Sequence, residues 1–339
     1  MSTKKSGCLW VIMGVVLALS LFLNLALVSA RRLGKGAGNR QTVLVKKPLP
    51  ERVFQERIVE EGDGNGRIAL INLYGLISSS IRSRGDGSMV DDIKAQLKQA
   101  VEDDDIKAIV LAIDSPGGEV TASDILYEAV RQAREKKPVV ISMGSLAASG
   151  GYYTACGGNW IIAHETTFTG SIGVIIQAFR YNDLLNKIGV EPLTFKSGAF
   201  KDMLGGTREM TPAEKEYVQK IVMEAYGRFV GIVAKERKLS EEELRNGVAD
   251  GRILTGKDAF AAKLVDQLGG IEAAYAKARE LGNAPGAPVV VYEEPFRIGK
   301  LFRFLGSESQ VQIQVPTPLG AIPVLEPGRA YFLPSVCVP

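Results

Sequence analysis

Residues 143 to 155, MGSLAASGGYYTA, place an alcohol among small side chains where an apolar run meets the start of a helix. A nucleophilic serine needs such a setting. It needs a sharp turn out of a strand, neighbours small enough for a carbonyl to approach, and backbone N–H groups free to meet the charge that develops on oxygen. Ser149 has Ala147, Ala148, Gly150 and Gly151 as those neighbours. The competing reading is that Ser149 only caps a helix, a role for which serine is equally suited. What separates the two readings is a base to take the hydroxyl proton.

The chain holds one histidine, His164, in the stretch IIAHETTFTG. Its neighbour Glu165 falls on the wrong face to orient the ring, so His164 reads as a turn residue. The other available base is a lysine that has lost its proton. Bringing a lysine pKa from about 10.4 to near 7 costs about 1.36 kcal/mol per unit, which burial among apolar and hydroxyl groups can supply. Lys201 and Lys196, both in KSGAFKD, are the candidates, and for each the plain alternative is a solvated loop lysine. Nothing in their spacing chooses between them. Ser171, in TGSIGV, could hold a neutral amine by hydrogen bonding or could merely satisfy backbone at a strand start. Gly117 and Gly118, in DSPGG, offer unhindered N–H groups to an oxyanion, or form a tight turn.

These residues require elements that converge. RIALINLYGLI, from Arg67, reads as a first strand, and Met89, Ile93, Leu97 and Val101 recur on one helical face. IKAIVLAI (106 to 113) is almost wholly apolar, as a strand covered on both faces should be, and a helix follows over 122 to 137. PVVISM (138 to 143) is the next strand. Strands separated by helices imply parallel pairing with right-handed crossovers, which brings turns 114 to 118 and 144 to 151 to one end of a sheet. Further on, 160 to 163 and 172 to 177 read as short strands, 181 to 188 as a helix and 192 to 196 as extended. Thr211-Pro212-Ala213-Glu214 is a capping box that opens a long helix. Two helical pieces occupy 250 to 282, and the proline-bearing remainder reads as a loosely packed tail.

Composition limits the classes. Of 339 residues 46% are apolar and 23% charged, and a net charge of +3 is too small to argue for a nucleic-acid partner. The three cysteines, Cys8, Cys156 and Cys337, lie far apart without metal-ligand spacing, so neither a disulfide framework, a metal nor a cofactor is expected. Cys156 reads as a small buried hydrophobe. Residues 7 to 30 carry no charge and exceed the ~20 residues that cross a bilayer as a helix, which reads as a membrane anchor. The small residues at 28 to 30 keep open a cleaved signal sequence. Basic residues are more numerous after this stretch than before it, which by charge alone would leave the following domain in the cytoplasm. The expected layout is 1 to 6 at the amino terminus, 7 to 30 as anchor, 31 to 66 as linker, 67 to 282 as catalytic domain and 283 to 339 as an extension.

MGSLAASGGYYTA, TGSIGV and KSGAFKD, with DSPGG upstream and ADGRILTGKDA downstream, together resemble the short form of the bacterial signal peptide peptidase A family. The resemblance covers about residues 67 to 282. It implies an α/β Clp protease/crotonase-like ββα superhelix with an amino-terminal transmembrane helix and extra carboxyl-terminal helices. It also implies a Ser-Lys dyad endopeptidase acting on apolar peptides, the remnant signal peptides. By position it assigns the nucleophile to Ser149, the base to Lys201, the lysine-holding hydroxyl to Ser171 and the oxyanion donors to Gly117, Gly118 and Gly150. Family members are single-pass proteins of the bacterial inner membrane, with the catalytic domain outside the cytoplasm and sites formed between protomers of a homo-oligomer. This chain departs at MLGGTRE, where the family more often has a Ser-Pro pair, which puts the conformation of that loop in question. A non-catalytic membrane-tethered scaffold and a crotonase-type acyl-CoA enzyme are the other readings of the same fold.

Overall fold

The computed structural model describes residues 53–79, 88–294 and 331–332; the anchor expected at 7 to 30 lies outside them, as do 31–52 of the expected linker and most of the tail. Among the described residues no helix is long and apolar enough to cross a membrane. The strands are β1 (Gln55–Glu60), β2 (Arg67–Tyr74), β3 (Ile106–Ser115), β4 (Gly118–Glu119), β5 (Val139–Ala148), β6 (Trp160–Ala163) and β7 (Phe168–Gly170). Four more follow: β8 (Ile253–Thr255), β9 (Gln267–Leu268), β10 (Val289–Glu293) and β11 (Tyr331–Phe332). The helices are α1 (Met89–Glu102), α2 (Val120–Arg134), α3 (Gly150–Ala155), α4 (Asn182–Lys187), α5 (Pro212–Arg237), α6 (Glu241–Asn246), α7 (Gly256–Ala261) and α8 (Ile271–Leu281).

The main sheet runs β1-β10-β2-β3-β5-β6-β9, with β7 beside β5 and β8 beside β7. Its pairings are parallel except β1 with β10 and β7 with β8. The alternation along β3 explains why its sequence is apolar throughout. Ile109, Leu111 and Ile113 join the core formed with α1, α2 and α3, whereas Ala108, Val110 and Ala112 join the core formed with α8. Each large aliphatic buried in this way contributes about 1.5 to 3 kcal/mol. The parallel register carries β3 to Ser115 beside Ala147 of β5, so the two glycine-rich turns meet at the carboxyl ends of their strands.

Four segments differ from the sequence expectation. The expected linker extends to residue 66, but β1 lies within it and pairs with β10, and β10 lies in what reads as tail yet pairs in parallel with β2. Edge strand β1 is mostly exposed and its polar sequence QERIVE hides it, whereas Val289 to Tyr292 are fully buried. The strand expected at 172 to 177 sits earlier, at β7, because Ser171 has a positive φ of 50° that ends the extended run. Residues 192 to 196 form no strand.

Helix α5 divides along its length. Its capping box is present, with Thr211 accepting from the Glu214 N–H and the Glu214 carboxylate accepting from the Thr211 N–H. Phe229, Val230 and Val233 in its carboxyl half are in the core; Val218, Ile221, Val222 and Ala225, nearer its amino end, are only half-buried. The amino half therefore stands off the core with the segment that precedes it.

Candidate active site

Strand β5 is the rail on which Ser149 rides. It ends at Ala148, paired with Gly170 of β7, and α3 starts at Gly150, leaving Ser149 alone to turn the chain. Ser149 takes φ 53° and ψ −115°, outside every region comfortable for a residue with a Cβ. Such strain costs about 1 to 3 kcal/mol, no more than one buried aliphatic returns, and it is the mark of a nucleophile on a strand-to-helix elbow. Its N–H donates to the Gly170 carbonyl at 2.8 Å and its carbonyl accepts from the Tyr153 N–H at 2.8 Å, so the backbone is held from both sides. The side chain caps nothing. Ser149 is fully buried and its Oγ has no hydrogen-bond partner, a costly state for a hydroxyl that serves only structure. The capping reading of this serine is thereby removed.

The glycines around it are required by close approach. A Cβ on Gly118 would strike the Ile77 carbonyl, and one on Gly150 would strike the Ser123 hydroxyl while lying 3.0 Å from the Gly118 nitrogen. The Gly118 nitrogen thus lies close against Gly150, the residue that follows Ser149. Gly117 serves differently, since at φ 103° it makes the turn, and its N–H donates to Ser115 Oγ at 3.1 Å. Of the three glycines named from sequence, Gly118 and Gly150, the latter next to Ser149 in the chain, pack against each other, while the Gly117 amide is engaged by Ser115.

Ser171 is beside them. Ala148 and Gly170 are the last pair of β5 and β7, so Ser149 and Ser171 are the next residues along two adjacent strands, and both have positive φ. Ser171 is buried, its N–H donates to the Arg252 carbonyl at 2.8 Å, and its hydroxyl has no partner among the described residues. Strand β4, which carries Gly118, has an edge that pairs antiparallel with β11, Tyr331 opposite Glu119 and Phe332 opposite Gly118. An extended peptide segment of this chain therefore lies along the glycine wall.

Lys201 lies in an exposed segment between β7 and α5, and among the described residues its amine makes no hydrogen bond or ion pair with any group, Ser149 and Ser171 included. Phe179, Leu184, Ile188, Leu193 and Phe195 of the same segment are exposed, Phe195 at 94%. Lys196, the other candidate, is engaged: its Nζ pairs with Asp202 Oδ1 at 2.8 Å. Arg208 also binds Asp202, and between them they hold its carboxyl far below the usual carboxylate range. Arg208 then reaches Glu214, whose carboxyl falls to about 2, chiefly through that contact and with help from the Thr211 N–H. Sequence reasoning missed Arg208, although it lies in the unusual stretch MLGGTRE and its partner Glu214 reads as a capping residue.

His164 is exposed on a turn, where its Nδ1 lies 2.8 Å from Thr166 Oγ1. It lines a cavity of about 530 Å³ with Asp114, Ser142 and Ile271, and Ser149 is not part of that wall. Asp114 accepts the Leu146 N–H at 3.1 Å where β5 slips its register against β3, so it shapes the approach to the elbow. Cys156 is buried and its thiol is pushed up to about 12 by that burial, which makes it an inert hydrophobe as expected. Among the described residues there is no cluster suited to hold a metal ion.

Several known proteins resemble this chain. The model for peptidase family S49 matches residues 131–284 and that for Clp protease matches residues 76–166. A putative signal peptide peptidase SppA of Enterococcus faecium is 34% identical over 290 residues, 84% of each chain. A putative protease of Synechocystis sp. is 39% identical over 250 residues, covering 73% of this chain and 85% of its own. A solved ClpP1 variant from Listeria monocytogenes aligns at 16% identity with a TM-score of 0.39, over 59% of this chain and 91% of that one. The relatives match this chain over most of their length and the S49 model spans the elbow, so the chain belongs to peptidase family S49 and is a serine protease.

Proposed function

We propose that this protease is an endopeptidase for apolar peptides, remnant signal peptides among them, with Ser149 as nucleophile and Lys201 as general base. The observation that carries the reading is the buried, unpartnered Ser149 hydroxyl on a strained elbow beside the Gly118 and Gly150 amides. Attack by Oγ on a carbonyl would place the oxyanion against those two N–H groups, and the leaving amine would take the proton that the base had accepted. Pairing of β11 with β4 supports an extended substrate lying along the same edge, held by main-chain hydrogen bonds.

The base is supplied by a second copy of the chain. Lys201 is unpartnered and sits on a segment with exposed large apolar side chains, which supports burial of that segment against a neighbouring protomer. Desolvation there would favour the neutral amine, and the Ser171 hydroxyl next to Ser149 would receive it. Lys196 is unsuited to the role, because its Nζ is already engaged by the Asp202 carboxylate. Residues 7 to 30 anchor the protein in the bacterial inner membrane, with the protease domain on the extracytoplasmic side, where cleaved signal peptides accumulate in the bilayer.

A fluorophosphonate probe followed by intact-mass measurement tests the nucleophile: one adduct is expected on the parent and none on Ser149→Ala. Mixing Ser149→Ala with Lys201→Arg copies before assembly tests the shared site. Recovery of activity is expected, since some boundaries then hold an intact serine facing an intact lysine. Parental labelling of Ser149→Ala, or failure of well-assembled mixed oligomers to recover any activity, would overturn the corresponding part of the reading.

A further inference from the structure

A carboxylate next to a catalytic amine is a hazard, because it favours the protonated form that cannot accept a proton. Asp202 directly follows Lys201, yet its two oxygens are taken. Oδ1 accepts from Arg208 Nη2 at 2.5 Å and from Lys196 Nζ at 2.8 Å, and Oδ2 accepts from Arg208 Nε at 2.9 Å. The other edge of the same guanidinium is equally occupied. Arg208 Nη1 donates to Glu214 Oε2 at 2.9 Å and to the Glu209 carbonyl at 2.9 Å, and Nη2 donates to Glu214 Oε1 at 2.5 Å. Glu214 is 2% exposed and is fixed by the capping box of α5. Arg208 thus joins the lysine loop to the first turn of that helix by two forked contacts, which a lysine at this position could not reproduce.

We infer that Arg208 is a positioning residue for Lys201: it sets the loop on α5 and withholds the Asp202 carboxylate from the neighbouring amine. The inference rests on the reading of Lys201 as the base. The charged and titratable groups that contact this loop or lie on it and the first turns of α5 include Lys196, Asp202, Arg208, Glu209 with its partner Arg180, Glu214, Tyr181, whose hydroxyl donates to the Gly205 carbonyl, and Tyr217, whose ring packs on Phe200. Glu214 is held by Thr211 as well as by Arg208, whereas Asp202 keeps only Lys196 on Oδ1 once Arg208 is lost, so Asp202 Oδ2 is the carboxylate oxygen released beside Lys201. An ordinary loop clamp predicts a weaker enzyme with an unchanged pH dependence. A clamp that also withholds a carboxylate predicts a displaced one.

Single-turnover acylation by an apolar peptide ester is measured across pH with the full chain in detergent, and assembly is checked by size and thermal unfolding. Arg208→Met should lower acylation at neutral pH about tenfold and move the rise of rate with pH upward by ~1 unit, because the freed carboxylate stabilises the Lys201 ammonium. Adding Asp202→Asn should return the profile to the parental position even if its plateau stays low. Arg208→Lys, which keeps charge but not both forks, should fall between, and serves if Arg208→Met does not assemble. An unmoved profile in Arg208→Met and Arg208→Lys, or no return in the double variant, overturns the inference. Lys201→Arg separates the two failures: if it acylates like the parent, the base is elsewhere and the inference falls with it. If it is inactive while the Arg208 variants keep the parental profile, the base stands and Arg208 is only a brace.

Discussion

The Ser149 elbow and the Lys201 loop hold their side chains by opposite means. Around Ser149 everything is buried: β5 and β7 fix the backbone, Tyr152 and Tyr153 of α3 are fully enclosed, and the strain at one residue is offset by the core beneath it. Around Lys201 little is buried except Glu214, and the order comes from Asp202, Arg208 and Glu214 in a short chain of ion pairs. Helix α5 belongs to both regions, with its carboxyl half in the core and its amino half standing off with the loop. The proposed nucleophile is thus held by the fold of one chain, whereas the proposed base sits on a segment ordered by local polar contacts.

That contrast can be broken most severely at its buried end. Ser149→Ala should lower peptide hydrolysis by ~10⁴-fold or more, the scale of removing a catalytic serine, with assembly unchanged because alanine adds no bulk to the turn. Lys201→Arg should lose at least ~10³-fold, since guanidinium cannot accept a proton at any pH a protein tolerates. Lys196→Arg should keep most activity. Rates for these variants, beside size measurements of each, would reverse the assignment if the two lysines exchanged roles.

Gly118→Ala sharpens the comparison at the wall. A methyl would strike the Ile77 carbonyl and displace the amide beside Ser149, so a ~10²- to 10³-fold fall in kcat is expected, the scale of one lost oxyanion donor. A preserved kcat would place the oxyanion elsewhere. The loop should respond to acid where the elbow does not. The Glu214 carboxyl, depressed by Arg208 from 4.5 to about 2, contributes stability that is complete above its unfolded value and is lost as pH falls through the folded one. Hydrogen exchange of residues 196 to 214 should therefore quicken between about pH 4.5 and 2, ahead of exchange in β5. Simultaneous loss in both would mean the clamp is not a separate unit. His164→Ala should change stability by less than about 0.5 kcal/mol and leave the rate unaltered, because the ring is exposed and bonded only to its own turn. A large fall in rate would return a histidine to the mechanism.

What could be read from sequence follows the same division. The strands β3 and β5, the capping box at Thr211 and the small-residue turn were legible because local pattern and burial agree there. Ser149 itself was legible as a residue type at a place, but its positive φ is a tertiary result, imposed by the Ala148–Gly170 pairing. That the Gly117 amide is engaged could not be read, because it depends on the Ser115 hydroxyl turning back onto it. Strand β10 was hidden for a different reason: VVVY is a strong strand signal, but nothing local says that it returns to lie between β1 and β2. The Arg208 bridge spans only six residues to either partner, and an Asp-Arg-Glu set at such spacing is also what a solvated loop contains.

The clasp of β1 with β10 has a mechanical consequence. Gln55 and Glu293, the first residue of one strand and the last of the other, face each other at one end of that pair. A load applied between those two points would open the ladder one rung at a time, like a zipper, rather than shear all its hydrogen bonds at once. A load applied at those two residues would therefore peel away a single edge strand before it reached β2, β3 and β5.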